Sequence, residues 1–215
     1  MKDFEIYLQP THFIDCDNPM VIEYAKSKTQ ATSDKQKAID LYMAVRDDIL
    51  YDPYHLILNP DLISASITLN RGRGYCVEKS LLLAAVGRVH GIPSRLGFSI
   101  VRNHLSTPKF VEMLRSDKFV FHGYNEFWID GKWVKCTPAF NKTLCDRFGV
   151  EALPFDGEHD SIFHAYEGGK KYMEYLHEYG QFDDLPYELF VQELKVHYPH
   201  LFQGDNLKSW SEQGF

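Results

Sequence analysis

The chain has 215 residues, with 23 Lys and Arg set against 30 Asp and Glu, so its formal net charge is −7. That acidic balance argues against a nucleic-acid partner. A hydrophobic share of 44%, including 15 Phe, 13 Tyr and 3 Trp, excludes a disordered chain. No apolar run reaches the ~18–20 residues of a membrane span, and Met1-Lys2-Asp3-Phe4-Glu5-Ile6 has no signal-peptide pattern. Four Cys without a CxxC pair suit a reducing compartment, so a cytoplasmic protein with no membrane partner is expected.

Residues 1–18 read as an extended lead-in. Asn18-Pro19 supplies an N-cap and a proline at the first helical position, predicting a helix to about Lys28. Ser33-Asp34-Lys35-Gln36 has capping-box spacing, and Ala38, Leu41, Tyr42, Val45 and Ile49 follow at helical intervals. Residues 51–75 read as irregular, punctuated by Pro53 and Pro60 and closed by Arg71-Gly72-Arg73-Gly74. From Cys76 a helix is expected whose stretch Leu81 to Val86 is apolar all round, hence buried on most sides. Gly91 ends it and Pro93 prevents continuation. Ser94 to Val101 reads as a strand, and 102–121 as a polar connection.

Two strand-like runs, Tyr124 to Ile129 and Lys132 to Thr137, flank Asp130-Gly131 and predict a type I′ hairpin. A two-residue loop sets Trp128 opposite Trp133, Glu126 opposite Lys135 and Tyr124 opposite Thr137. His122, Tyr124, Glu126 and Trp128 then share a face, with Thr137 diagonal to His122 if pairing persists to the strand ends; Cys136 points the other way. Glu126 and Lys135 are expected to form a cross-strand ion pair, and the two tryptophans to pack together. Beyond Pro138 the chain turns acidic and aromatic, with helices expected near 170–179 and 186–197 and a polar tail. We divide it into a core, 1–141, and a helical or irregular extension, 142–215, packed on that core.

Cys76 opens the buried helix. Free N–H groups and the positive end of the macrodipole favour a thiolate there and can hold an oxyanion. By position alone the commoner role of such a cysteine is that of a small buried apolar residue. His122, just ahead of the hairpin, is the imidazole that a cysteine nucleophile would need. Arg71, Arg73 and Arg95 read as solvated surface. Cys136, Cys145, His159 and His164 match no zinc spacing, so neither metal nor other cofactor is expected.

Gly74-Tyr75-Cys76, Leu81-Leu82, Arg88-Val89-His90-Gly91-Ile92-Pro93-Ser94-Arg95, His122-Gly123-Tyr124-Asn125-Glu126 and Gly131-Lys132-Trp133-Val134, in this order, resemble the core of the transglutaminase-like superfamily. The similarity spans roughly residues 7–141. It implies a papain-like α+β fold, a Cys-bearing buried helix packed on an antiparallel sheet, with a Cys-His-Asp triad. On that basis Cys76 is the nucleophile and His122 the base. Where the family has a Trp-Val-x-x-Asp-Pro-like segment, this chain reads Trp133-Val134-Lys135-Cys136-Thr137-Pro138, placing Thr137 at the third position. A hydroxyl can hold the ring, but without charge it forfeits roughly 1 kcal/mol or more of imidazolium stabilisation. Three outcomes stay open: an altered triad, an orienting group from Asn141, Asp156 or Asp160, or weakened activity. The resemblance implies a thiol enzyme (peptidase, amidase or acyl transferase) acting on a peptide, protein or small amide. The alternative is a non-catalytic binding module on the same fold. The oligomeric state is left open.

Overall fold

Helices α1 (Pro19–Lys28) and α2 (Asp34–Asp48) begin where their capping residues dictate. The Asn18 side chain accepts the Met20 N–H, and the Ser33 hydroxyl accepts the Gln36 N–H. The computed structural model describes residues 4–54, 56–103, 107–162 and 173–203. After α2 come β1 (Leu50–Tyr51), α3 (Ala65–Arg71), β2 (Arg73–Gly74), α4 (Cys76–Val89), β3 (Ser94–Asn103), α5 (Pro108–Leu114), β4 (Lys118–Ile129), β5 (Lys132–Cys136), α6 (Lys142–Phe148), β6 (Met173–Phe182) and α7 (Tyr187–His197).

The centre of the fold is α4. Helices α1, α2 and α3 lie against it on one side and strands β3 and β4 on the other. Every residue from Leu81 to Val86 is fully buried, as an all-round apolar helix requires. Each buried leucine there contributes ~1.5–3 kcal/mol. Gly87 lets α4 approach the sheet, since a Cβ there would stand 2.4 Å from the Phe127 ring. Gly91 follows the helix with φ +74°, the left-handed conformation its position predicts.

The main sheet is antiparallel in the order β5-β4-β3-β6. Asp130 and Gly131 have φ of 48° and 85°, the type I′ signature. Trp128 faces Trp133 and Glu126 faces Lys135, as the loop length demands, but the ladder stops at Asn125 and Cys136. The expected Tyr124–Thr137 pair does not form, because Cys136 bridges to Ser161 and the Thr137 N–H bonds the Ser161 carbonyl. The predicted Glu126–Lys135 ion pair is also replaced. Arg95, directly opposite Glu126 on β3, donates to one of its carboxylate oxygens at 2.5 and 2.7 Å. Lys135 lies over the Tyr124 ring and reaches Glu178 at 3.3 Å. Trp128 and Trp133 pack edge-on at 5.5 Å, with Phe4 4.6 Å from Trp128.

Four segments differ from the sequence reading. Residues 173–179 are not helical: β6 pairs along β3, which otherwise leaves an open edge, and its aromatic side chains suit a pleated surface. Residues 51–75 contain α3, capped by the Ser64 hydroxyl, and a short parallel pair of β1 with β2. Residues 102–121 contain α5, capped by the Thr107 hydroxyl with Pro108 at its first position. In the lead-in, Glu5–Tyr7 form a 3₁₀ turn. The helix expected at 186–197 is α7, which lays the buried side chains Phe190 and Leu194 toward the core beside β4. Residues 170–172, and the polar tail from 204, lie outside the described residues. No described helix is long and apolar enough to cross a membrane.

Candidate active site

The start of α4 is fixed from below. Glu78 accepts the Tyr75 N–H at 3.2 Å and is gripped by Arg71 at 2.6 Å. Gly74 leaves room for this, since a Cβ there would stand 2.9 Å from the Glu78 Oε2. Burial pushes the Glu78 carboxyl up to about 7, opposed by the Arg71 guanidinium. Cys76 is thereby set as the first residue of the helix, half-buried and facing β4.

Burial also pushes the Cys76 thiol up, to about 11. The backbone N–H groups of Gly123, Val77 and Cys76 stabilise the anion but do not offset the lost solvation. The helix-start N–H groups act in the expected direction, and burial outweighs them. Tyr51, Tyr75, Tyr175 and Tyr198 all lie close enough to the sulfur to couple with it electrostatically.

His122 sits on β4 immediately before Gly123, opposite Ser99 of β3, and is buried. Just ahead of it Phe121 has φ +63°, and the pairing with β3 slips between Ser99 and Val101. A bulge of this kind re-aims side chains. The His122 ring stands edge-on to Tyr175 with centroids 6.3 Å apart. Both His122 and Cys76 line one cleft, whose walls include Phe110 of α5, Phe121 of β4 and Phe190 of α7.

The third sequence candidate takes a different place. The Thr137 hydroxyl donates to the Gly123 carbonyl at 3.4 Å, meeting the residue after His122, while the Thr137 carbonyl accepts from Tyr42 Oη at 3.1 Å. The alternatives are engaged elsewhere. Asn141 accepts the Tyr51 N–H at 2.9 Å and donates to Thr143 at 2.6 Å. Asp156 closes a turn with the N–H groups of Glu158 and His159, and Asp160 accepts the Lys135 N–H. Arg71, Arg73 and Arg95 are paired with Glu78, Asp52 and Glu126 rather than simply solvated. Of the set Cys136, Cys145, His159 and His164, the two cysteines are buried, His159 pairs with Asp156, and His164 lies outside the described residues.

Sequence reasoning missed Tyr75, Tyr175 and the cleft walls from α5 and α7. Thr107-Pro108 carried a readable helix-start signal; nothing local showed that α5 or α7 would face Cys76.

The profile of the transglutaminase-like superfamily matches residues 22–138. The chain belongs to this superfamily. Cys76 and His122 both fall inside the matched region of this transglutaminase-like chain, as does Thr137. A solved structure described as "a Putative Cysteine Protease from Cytophaga hutchinsonii" superposes with a TM-score of 0.52 at 18% identity, covering 64% of this chain. The α+β, papain-like and transglutaminase-like architecture is common to both. The transglutaminase-like chain spans only 42% of that protein's length. Among curated proteins, none matches at a significant level.

Proposed function

We propose that this transglutaminase-like protein is a thiol-dependent amide-bond enzyme, a peptidase, amidase or acyl transferase, with Cys76 as nucleophile and His122 as base. The observation that carries the reading is that a helix-start cysteine and a strand histidine open onto one cleft. Burial favours the neutral thiol of Cys76 at rest. His122 takes the thiol proton as the sulfur attacks the amide carbonyl, so charge forms only when substrate is present. The tetrahedral oxyanion collapses to an acyl-thioester as the protonated imidazole gives its proton to the departing amine. Water or a second amine then attacks the thioester. Thr137 is a positioning residue in this scheme, steadying the Gly123 peptide between the imidazole and the sulfur. Membership of the superfamily and the fold shared with the Cytophaga protein support this class of chemistry.

The test is turnover of a library of peptide coumarin amides, with and without hydroxylamine as acyl acceptor. Release of the fluorophore is expected from the native protein and is lost in Cys76→Ala and His122→Ala; hydroxamate formation marks transfer rather than hydrolysis. Unchanged turnover in Cys76→Ala would refute the assignment.

The raised thiol and the neutral Thr137 favour a second reading, a binding module that keeps the cleft without turnover. Peptide binding without any acyl-enzyme on Cys76 is its signature.

A further inference from the structure

One backbone conformation beside the proposed base has no local cause. Among the described residues, three that are not glycine have positive φ: Arg115 at 52°, Phe121 at 63° and Asp130 at 48°. Arg115 closes the end of α5 and Asp130 sits in the type I′ turn, both ordinary places for left-handed backbone. Phe121 lies inside strand β4, where a bulky residue keeps this conformation only if its surroundings hold it there. Those surroundings are three aromatic rings. Phe98 of β3 stacks on Phe121 at 4.6 Å, and Tyr179 of β6 and Phe190 of α7 meet it at 4.9 and 5.4 Å. From the Ser99–His122 pair to the Val101–Phe119 pair, β3 advances two residues and β4 three, so β4 carries one residue too many for a regular ladder. A regular strand turns successive side chains to opposite faces. Here Phe119, Val120, Phe121 and His122 all line the cleft that Cys76 lines.

We propose that Phe121 is a positioning residue for His122: its left-handed backbone, clamped by the rings of Phe98, Tyr179 and Phe190, turns β4 so that the imidazole joins Cys76 at the cleft. The extra residue supplies the turn, and the clamp keeps it from relaxing into a regular ladder. A ladder that lost the bulge would slip by one residue, and a one-residue slip sends side chains to the other face. Two members of the clamp, Tyr179 and Phe190, lie beyond the residues 22–138 that match the superfamily. The C-terminal segment therefore shapes the site as well as walling it. This inference rests on His122 being the base.

The test reads where the imidazole sits, by NMR of the full chain carrying isotope-labelled histidine. The His122 ring signal is identified by its loss in His122→Gln. With the ring beside the sulfur, Cys76→Ala moves that signal, and this displacement is then measured in each Phe121 variant. Packing and backbone rank the variants in opposite orders. Valine fills more of the space left by the ring than glycine does, but a β-branched residue resists positive φ and glycine accepts it. Phe121→Gly is therefore expected to keep the displacement, whatever stability it loses, and Phe121→Val to lose about half of it or more. On a coumarin amide that the native protein cleaves, kcat should fall about tenfold in the valine variant with KM little changed, and far less in the glycine variant. If Phe121→Val does not fold, Phe121→Ala takes its place with the same expectation. Tyr179→Leu, which loosens the clamp, should weaken the displacement where residue 121 is Phe and leave it intact in Phe121→Gly. The inference is overturned if the valine or alanine variant keeps the full displacement, if glycine loses as much as valine or does not fold, or if Tyr179→Leu acts equally in both backgrounds. No displacement in Cys76→Ala with Phe121 in place would set the imidazole apart from the sulfur and remove the reading beneath.

Discussion

Gly123 and Cys76 meet where β4 crosses the start of α4. The Gly123 N–H supports the Cys76 sulfur anion, and a Cβ on Gly123 would stand 3.2 Å from the Cys76 carbonyl oxygen and 3.1 Å from the Val77 Cα. Both obstacles are backbone atoms of a buried helix and cannot swing aside. Gly123→Ala is therefore expected to force strand and helix apart, costing about 1–3 kcal/mol. Urea unfolding measures the loss, and iodoacetamide labelling should show an altered Cys76. An unchanged midpoint with unchanged labelling would mean that the contact is slack.

The thiol, raised to about 11, makes a specific claim about pH. A neutral thiol yields thiolate in proportion to hydroxide, so labelling of Cys76 by iodoacetamide should climb about tenfold per pH unit above neutrality until it nears that pKa. A plateau already reached in mildly acidic buffer would instead reveal a preformed thiolate–imidazolium pair.

Thr137 reaches the proposed pair of Cys76 and His122 through Gly123. Thr137→Val keeps the shape but removes the donor, and should cost about 0.5–1.5 kcal/mol of stability. If the residue positions the pair, kcat falls several-fold with KM little changed, and Thr137→Ser restores it. Equal kcat in the valine variant would leave Thr137 a packing residue.

Lys79 is fully buried in α4, and its Nζ donates to the carbonyls of Arg46 and Ile49 at the end of α2, at 2.9 and 2.6 Å. Lys79→Met strands two carbonyls and should destabilise by about 2–4 kcal/mol. Burial lowers this amine from 10.5 to about 7, so between those values the unfolded lysine holds a proton that the folded one has released. The stability that Lys79 contributes therefore rises with pH across that window, and below it the full cost of burying the charge remains. Urea midpoints of both proteins at about pH 6 and about pH 9 should show the gap between native and Met variant widening upward. A gap independent of pH would place the folded amine near its ordinary value.

The segment after Asn141 contributes β6, paired along β3, and α7, whose Phe190 and Leu194 are buried. A chain ending at Asn141 exposes a strand edge and one wall of the cleft, and is expected to aggregate or to melt without cooperativity. Soluble expression with a native-like melt would show that the segment is dispensable.

Much of the local architecture was legible because it depends on neighbours in the chain. Asn18 and Ser33 cap by reaching N–H groups two and three residues away. Asp130-Gly131 sets the hairpin register because only a type I′ turn spans two residues there. The order of the Cys76 and His122 motifs pointed to the family and to the paired site. The strand at 173–182 was not legible, since its acidic and aromatic stretch suits either conformation until the open edge of β3 selects one.

What the sequence determined by itself was the helices α1, α2, α4 and α7, the strand β3 and the hairpin, carried by short-range sterics and hydrogen bonding, while the nucleophile and base candidates came from the resemblance of its motifs to the superfamily. Only the tertiary structure decided that Arg95 rather than Lys135 meets Glu126, that Thr137 holds Gly123, and that the Cys76 thiol is raised rather than lowered. Charge partners and solvation depend on every surface that closes around a group. Those surfaces come from β3, β6, α5 and α7, which are distant in the chain and meet only when it folds.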